Sequence, residues 1–455
     1  MKLLSNIQQE DPRFQALIEQ IRNAESLTSV ILATFRLVFA LGIKIVETEL
    51  TERAQRPTDW PNCPKCGTRI HSKGLLPRSV MSILGEISWK RRVGRCPNRC
   101  HIEQIVPLDN QLGICPYQPA SEELSHIACL LAVFVPYETA AVILRQILPI
   151  QLGAMTIWTW VQQYGATARI KLMRELDDLK QGITPILEAM NESILQLPLI
   201  IGADGVHAPF RPFRGSPCGK IVWREIKVGI LARLGQRIKR NGDTVPKLEQ
   251  RRLVATLGNI DVFRPQLWLE ALRQGVLDTE TVVWVSDGGR GFWNLFTACF
   301  ASFSIGILDF YHAAQNIWKA AAAWLDGRTI TARQWFAEAR HELRHGSVTT
   351  ILRRINSALL TENLSEDTRR ILSNVHEYLN THREHVDYSR FKEQMGLPIG
   401  SGVVESACKW LIQQRFKGVG MRWSEAGFEN LLHLRLAWVN GRFDELFFPD
   451  SPSPN

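Results

Sequence analysis

Two sets of side chains in this 455-residue sequence have types and spacings that could do chemistry. The first is acidic. Apolar runs end in Asp204 (L-I-I-G-A-D-G), Asp287 (V-V-W-V-S-D-G-G) and Asp309 (S-I-G-I-L-D-F-Y-H312), and Glu405 follows a Gly-Ser-Gly turn at 400–402. Clustered carboxylates repel and raise one another's pKa unless a cation relieves them. Mg²⁺ or Mn²⁺ does so with oxygen ligands, and two such ions can drive an in-line displacement at phosphorus. The bases after Glu405, namely Lys409, Arg415, Lys417 and Arg422, suit a phosphodiester backbone. A plainer reading is available. Glu405 and Lys409 stand one helical turn apart, as in a solvated ion pair, and one Asp after a strand is often a turn residue. The metal reading accounts for acids and bases together, whereas the ion pair accounts only for Glu405 and Lys409.

The second set is thiol. Cys63-Pro-Lys-Cys66 and Cys96-Pro-Asn-Arg-Cys100 flank an alternating stretch, 79–92, that reads as a hairpin. Two cysteine pairs at the ends of a hairpin describe a zinc ribbon, in which four thiolates close a tetrahedral structural site. His71 and His101 are possible substitutes for one ligand. The alternative is four unrelated thiols. Lys90, Arg91 and Arg92 make the module basic, which suits phosphate contacts, although a ribbon that is merely solvated or that touches protein would look the same. Nine cysteines without a recognisable signal-peptide core point to a reducing compartment.

The elements that must position these groups follow from periodicity. Composition is that of a globular chain, 45% apolar and 22% charged, long enough for two to four domains. Its net charge of +9 favours a polyanionic partner. Residues 1–55 read as helices that serve packing or assembly. Within them, 28–47 is the most membrane-like stretch, but Arg36 and Lys44 make an amphipathic or buried helix the better expectation than a span. Residues 56–110 form the ribbon. Residues 111–195 read as helical. There, 137–147, a turn at 148–153 and 154–163 outline a helix-turn-helix whose second helix carries Thr156, Thr159 and Gln162, able to reach bases or phosphates. Two packed core helices, with Trp158 and Trp160 inward, fit equally well. Residues 169–195 read as a charged helical linker. Residues 196–325 alternate strands and helices, an α/β pattern with strands near 199–204, 221–234, 251–256, 281–286 and 303–308. Each Asp then sits at a strand end, where α/β sheets gather functional residues. Residues 326–395 read as an α-helical insertion, 396–445 return with the Glu405 helix, and 446–455 form a polar tail.

The sequences G-A-D-G, W-V-S-D-G-G, L-D-F-Y-H and G-S-G-V-V-E-S, followed by R-F-K-G-V-G-M-R-W, resemble the DDE transposases of bacterial insertion sequences, best the Kra-type family with its Mutator-like relatives. The resemblance covers 197–439 well and the upstream part loosely. It implies an RNase H-like core interrupted by the helical insertion, with Asp204, Asp287 and Glu405 as the ligands of Mg²⁺ or Mn²⁺. Asp309 and His312 match a D-x-x-H motif with a supporting role. Two alternatives stay open: Asp309 as second metal acid in place of Asp287, and His312 as a helix-start histidine bonded to Asp309. The resemblance also implies an enzyme of the bacterial cytoplasm, acting on the nucleoid with no membrane. It would bind double-stranded DNA at terminal inverted repeats and at target sites, as a homodimer or higher oligomer. The ribbon, with its structural Zn²⁺, and the helix-turn-helix are the natural readers. The implied reaction is hydrolysis at element ends, then attack of the freed 3′-hydroxyl on target DNA. The competing readings are an RNase H-like nuclease without strand transfer and a non-catalytic, domesticated DNA-binding protein.

Overall fold

The computed structural model describes residues 12–212 and 220–448. The tip of the polar tail, from 449, and Cys218 lie outside the described residues. The chain divides into two compact units, 1–163 with 444–455, and 164–443.

The first unit opens with α1 (Pro12–Arg22) packed on α2 (Leu27–Gln55). Ser26 starts α2 as a capping box with Ser29. The stretch 28–47, expected as an amphipathic or buried helix, lies within α2 and is not buried. Only 6% of the most apolar part of α2 is buried, and Ile31, Phe35, Val38 and Ile45 are exposed. By length and composition alone the helix could cross a bilayer.

The alternating stretch forms an antiparallel hairpin, β1 (His71–Ser82) and β2 (Gly85–Arg95). It runs further toward the cysteines than the sequence predicted. On β2 one parity is buried: Ile87, Trp89, Arg91 and Val93 face inward while Lys90 faces out. After a short α3 (Pro107–Gln111) come α4 (Glu122–Phe134), α5 (Tyr137–Ile147) and α6 (Ala154–Lys180). The predicted recognition helix is thus the first third of a continuous 27-residue helix that takes in the first part of the supposed linker. It stops at Lys180, before Gly182, which takes φ +83, so the residues from 181 to 191 are not helical. Trp160 is buried, but Trp158 is 41% exposed and is not a core residue. A four-residue α7 (Glu192–Leu195) follows.

The second unit is built on a five-stranded mixed sheet: β3 (Leu199–Phe210), β4 (Val222–Ile238), β5 (Thr244–Leu257), β6 (Val282–Ser286) and β7 (Ser304–Leu308). The spatial order is β5-β4-β3-β6-β7. β3, β4 and β5 pair antiparallel, and β3, β6 and β7 pair parallel. The strands of the antiparallel half are longer than their sequence suggests. β5 extends back to Thr244 because its outer residues are polar and solvated, which hides strand periodicity. β3 continues six residues past Asp204, so Asp204 lies in mid-strand and not at a strand end.

Helices cover both faces. Added Cβ atoms at Gly229 and at Gly202 would strike opposite neighbours. At Gly229 they are Phe263 and Leu267 of α8 (Ile260–Arg273), and at Gly202 it is Val404 of α14 (Gly402–Cys408). Gly229 and Gly202 have opposite facing parity in the β3–β4 ladder. The α8 face also carries Trp284, stacked on Phe300 beyond α9 (Arg290–Cys299). After β7 come α10 (Phe310–Leu325), α11 (Ile330–His345), α12 (Val348–Leu359) and α13 (Glu366–Thr381). Their apolar faces (Ile317, Leu343, Ile355 and Leu379 among them) share one core with the sheet and α8. Burying each such side chain stabilises by roughly 1.5–3 kcal/mol. α14 runs through a π-helical turn at Lys409–Gln413 into α15 (Gln414–Phe416), and α16 (Glu425–Val439) packs on β5.

Candidate active site and candidate metal centre

Register brings the three aspartates level. β3 and β6 pair Gly202 with Val285 and Ala203 with Ser286; β6 and β7 pair Val285 with Ile307 and Ser286 with Leu308. The next position in each is Asp204, Asp287 and Asp309. Because side chains alternate along a strand, Asp204 shares the face of Gly202, the face on which α14 lies. The absence of a side chain at Gly202 sets that closeness: a Cβ there would come within 2.2 Å of Val404 Cγ2.

The surroundings of each acid differ. Asp204 is half-buried and Gly205 N–H donates to it. Burial raises its pKa, the charges of Asp287 and Glu405 push the same way, and the Gly205 N–H and His312 oppose them. Asp287 accepts from Gly289 N–H at 3.0 Å, and Trp293 Nε1–H donates to its backbone carbonyl at 2.6 Å. Tyr378 of α13 lies against Gly288, where a Cβ would come within 1.9 Å of its ring. The helical insertion therefore reaches the acids.

Asp309 is saturated. Only 2% exposed, it accepts from His312 N–H at 2.8 Å, from Ser401 Oγ–H at 2.5 Å and from Ser401 N–H. It caps α10 and ties the end of β7 to the residue that starts α14. Burial pushes its pKa up, yet the bonds from His312 and Ser401 outweigh burial and hold it at about 2. His312 Nδ1 lies 3.3 Å from Asp309. That hydrogen bond raises the histidine's pKa, burial opposes it, and the charges of Asp309, Asp287 and Asp204 add to the rise. Glu405 is on the exposed side of α14 and pairs with Lys409 at 2.8 Å. Asp204, Asp287, Glu405, Asp309 and His312 are thus electrostatic neighbours. Among the described residues, however, their oxygens do not close into a ligand set in which all lie within 4.8 Å.

The cysteine centre does close. Sulfurs of Cys63, Cys66, Cys96 and Cys100 all lie within 4.8 Å of one another, and His71 and His101 are not part of the group. The knuckle is held by Cys63 N–H to Thr68 O and Gly67 N–H to Cys63 O, both 2.8 Å. Hydrogen bonds from Thr68 bring Cys66 down to about 6. Four thiols at this spacing fit a tetrahedral ion such as Zn²⁺.

The predicted DNA contacts divide. Lys90, Thr156, Thr159, Lys409 and Arg422 are exposed, and Gln162, Arg92 and Lys417 are half-buried. Arg92 Nε donates to Ala54 O at 3.3 Å, and Lys417 lies 5.6 Å from the Trp223 ring. Two are corrected. Arg91 is 5% exposed and paired with buried Asp109 at 3.0 Å, because it occupies the inward parity of β2. Arg415 is 2% exposed and lies 5.4 Å from the Trp423 ring. The R-F-K-G-V-G-M-R-W segment is a folded return. Trp423 N–H donates to Pro209 O at 3.1 Å, Arg211 N–H donates to Trp423 O at 2.9 Å, and Phe416 is fully buried. Sequence reasoning missed Ser401 and Tyr378. Ser401 was legible as a cap; Tyr378, in mid-insertion, had no signal.

No protein-family description matches the chain, and no curated protein matches it. Among solved structures, a Drosophila P element transposase strand transfer complex aligns over 76% of this chain and 84% of that chain, at 13% identity and a TM-score of 0.23. That score lies below the level of a shared fold.

Proposed function

We propose that the second unit is an RNase H-like catalytic core and that the protein is a metal-dependent DNA transposase of the bacterial insertion-sequence kind, related to the Kra-type family and acting on nucleoid DNA. The observation that carries this reading is the register: Asp204 and Asp287 stand level on adjacent parallel strands, on the face that receives the Glu405 helix. The mixed sheet, with three antiparallel strands followed by two parallel ones and a helical insertion before the last helix pair, supports it.

In this reading Asp204, Asp287 and Glu405 hold Mg²⁺ or Mn²⁺, with Glu405 exchanging Lys409 for the cation. The ion would supply activation of the attacking oxygen and relief of charge at the leaving oxygen. The chain's own residues do the rest. Asp309 is not a ligand, because its oxygens are already taken up by Ser401 and His312; it fixes the start of α14 and so the reach of Glu405. His312, oriented by Asp309, whose hydrogen bond raises its pKa, donates to a phosphate oxygen. Lys90, Arg422 and the exposed threonines of α6 meet the backbone of double-stranded DNA at terminal inverted repeats and target sites. The chain works as a homodimer or higher oligomer, and its cysteine centre holds structural Zn²⁺.

A reading without catalysis has one observation in its favour, the Glu405–Lys409 pair, which gives Glu405 a structural partner. The deciding experiment incubates DNA carrying the sequences that flank the coding region with Mg²⁺ or Mn²⁺ and either wild-type protein, Asp287→Asn or Glu405→Gln. The expected result is joining of 3′ ends by wild type. Its loss in both variants should exceed the roughly 10- to 100-fold that the outer partners of a metal site contribute. Cleavage without joining identifies a nuclease. Binding without cleavage in either metal leaves a DNA-binding protein.

A further inference from the structure

A second feature of the same unit lies on the other side of α14 from Glu405. Val403, Ser406, Ala407, Trp410 and Gln414 recur at helical spacing and form one wall of a cleft of about 960 Å³. The opposite wall is the 247–253 stretch of β5, the outermost strand of the sheet. Both walls are irregular at this point. On β5, Gln250 and Arg251 together face the single residue Ala232, a bulge in which Gln250 takes φ +44. On the helix, the π-helical turn at Lys409–Gln413 shifts the faces of the following residues. Bulges and π-turns re-aim side chains, and a non-glycine residue at positive φ persists only where its surroundings impose it.

What these devices aim is cationic and aromatic. The cleft is lined by Lys247, Arg251, Arg252 and Lys409 against one carboxylate, Glu249. Lys247 takes Glu249 at 2.6 Å, and Arg252 is bound to Glu188. Arg251 is exposed and has no ion-pair partner among the described residues, and Lys409 reaches out of the cleft to Glu405. At the base of the wall, Trp410 and Trp438 lie 5.7 Å apart at 39°, and the buried guanidinium of Arg435 sits 4.9 Å from the Trp410 ring. That ring is therefore fixed from behind, with its remaining surface half-exposed. A rigid ring beside one guanidinium without an ion-pair partner and three further cations matches the chemistry of an unpaired nucleic-acid strand: bases stack on indole whatever their identity, and the basic side chains follow the backbone. Farther along the same strand, Asn440 bonds both Leu253 N–H and Leu253 O at 2.9 Å, which stops a peptide strand from adding to that part of the edge.

We infer that this cleft binds an unpaired nucleic-acid strand, with one base on Trp410 and phosphates at Arg251 and Lys409. The site is separate from the acids and its occupancy does not require cleavage. A phosphate held by Lys409 competes with Glu405 for the same ammonium group, so a strand in the cleft frees Glu405.

The test is fluorescence anisotropy of a labelled oligothymidylate of about 20 nucleotides, longer than one such site needs. It uses the full, zinc-loaded chain with no added Mg²⁺ or Mn²⁺ and no chelator, so the result stands whether or not the acids cleave DNA. Arg251→Glu and Trp410→Ala should each weaken binding about tenfold. Trp410→Phe should recover most of the loss, and Arg370→Glu, a charge-matched change on the exposed side of α13, should leave binding unchanged. An oligonucleotide carrying 5-iodouracil should photo-cross-link within the peptide that contains Trp410, a readout independent of variant folding. The inference is overturned if wild type does not bind, if Arg251→Glu and Trp410→Ala both bind like wild type while cross-links map elsewhere, or if blunt duplex binds better than the single strand with the same variants reducing it.

Discussion

The cysteine centre of the first unit and the carboxylate cluster of the second bring donors together in opposite ways. Four sulfurs lie within 4.8 Å of one another, fixed by tight turns at the open end of a hairpin. The acids come from three parallel strands and a helix, stand level by register, and still do not close; Glu405 is turned to Lys409. In the proposed reading the contrast is that of a structural site with an exchangeable one. Turns spaced by two or three residues leave the sulfurs no other arrangement, whereas an acid on an exposed helix face can trade partners. A site that must admit a phosphodiester needs that freedom.

The contrast is broken most severely at the cysteines. The cysteine end of the ribbon has only a small apolar cluster, around Ile70, Cys63 and Cys96, while Val80, Ile87 and Trp89 pack the other end; in the proposed reading the order of the cysteine end rests on the ion. Zinc binding in such modules is worth about 10–16 kcal/mol at neutral pH. Cys96→Ser should therefore lose one equivalent of zinc by elemental analysis. Hydrogen exchange should show the hairpin opened at its cysteine end, with the protection of β3 and β6 unchanged. Zinc retained in this variant would mean that the thiols are unrelated.

The next effect falls on the closeness of α14 to the sheet. Gly202→Ala places a methyl group where Val404 Cγ2 already lies, at 2.2 Å, and overpacking of this kind costs about 1–3 kcal/mol. The loss should appear as a lower urea midpoint with unchanged slope, and activity should fall further than stability because Glu405 rides on the displaced helix. A variant that keeps wild-type stability would show that the helix shifts freely.

Asp309→Asn sharpens the comparison from the side of the fixed acid. The bonds from His312 and Ser401 hold Asp309 at about 2 in the folded protein, against about 3.9 unfolded, so its ionised form contributes roughly 2–3 kcal/mol of stability. A depressed carboxylate contributes fully above the unfolded value and loses its contribution as pH falls through the folded one. The variant should be less stable than wild type at pH 7, and the difference should shrink between about pH 4 and pH 2. A constant difference across that range would assign the loss to packing.

These residues also show what could be read in the chain. Asp287 and Asp309 end short apolar strands, so their place was legible. Asp204 was legible as an acid of the same set but not as mid-strand, because Gly205 and Pro209 in the stretch after it are turn-forming residues that mask its pairing with β4. The cysteine pairs were legible because their spacing is local. Arg91 was misread as a phosphate contact although Ile87, Trp89 and Val93 share its parity, and Arg415 was misread because its burial comes from tertiary packing that the local pattern does not show. Local period and spacing carry across from sequence; the burial of a charge by a segment far along the chain does not.

The smallest effect tests whether the open site is open by design. The Glu405–Lys409 pair is exposed at both ends, 62% and 60%, and joins positions one turn apart. Pairs of this kind contribute at most about 1 kcal/mol, so Lys409→Ala should leave thermal stability nearly unchanged. If Glu405 must leave Lys409 before it can serve a cation, the same change removes a competitor. Mn²⁺ should then bind about two- to fivefold more tightly, the factor that an exposed pair of this strength corresponds to. Calorimetric titration of the zinc-loaded chain reads this directly, because the thiolate site is already filled. Tighter Mn²⁺ with unchanged stability supports partner exchange at Glu405. Equal affinity in the two proteins would leave Lys409 as a solvated neighbour and place the opening of the site elsewhere, at the reach of α14 that Asp309 and Ser401 set.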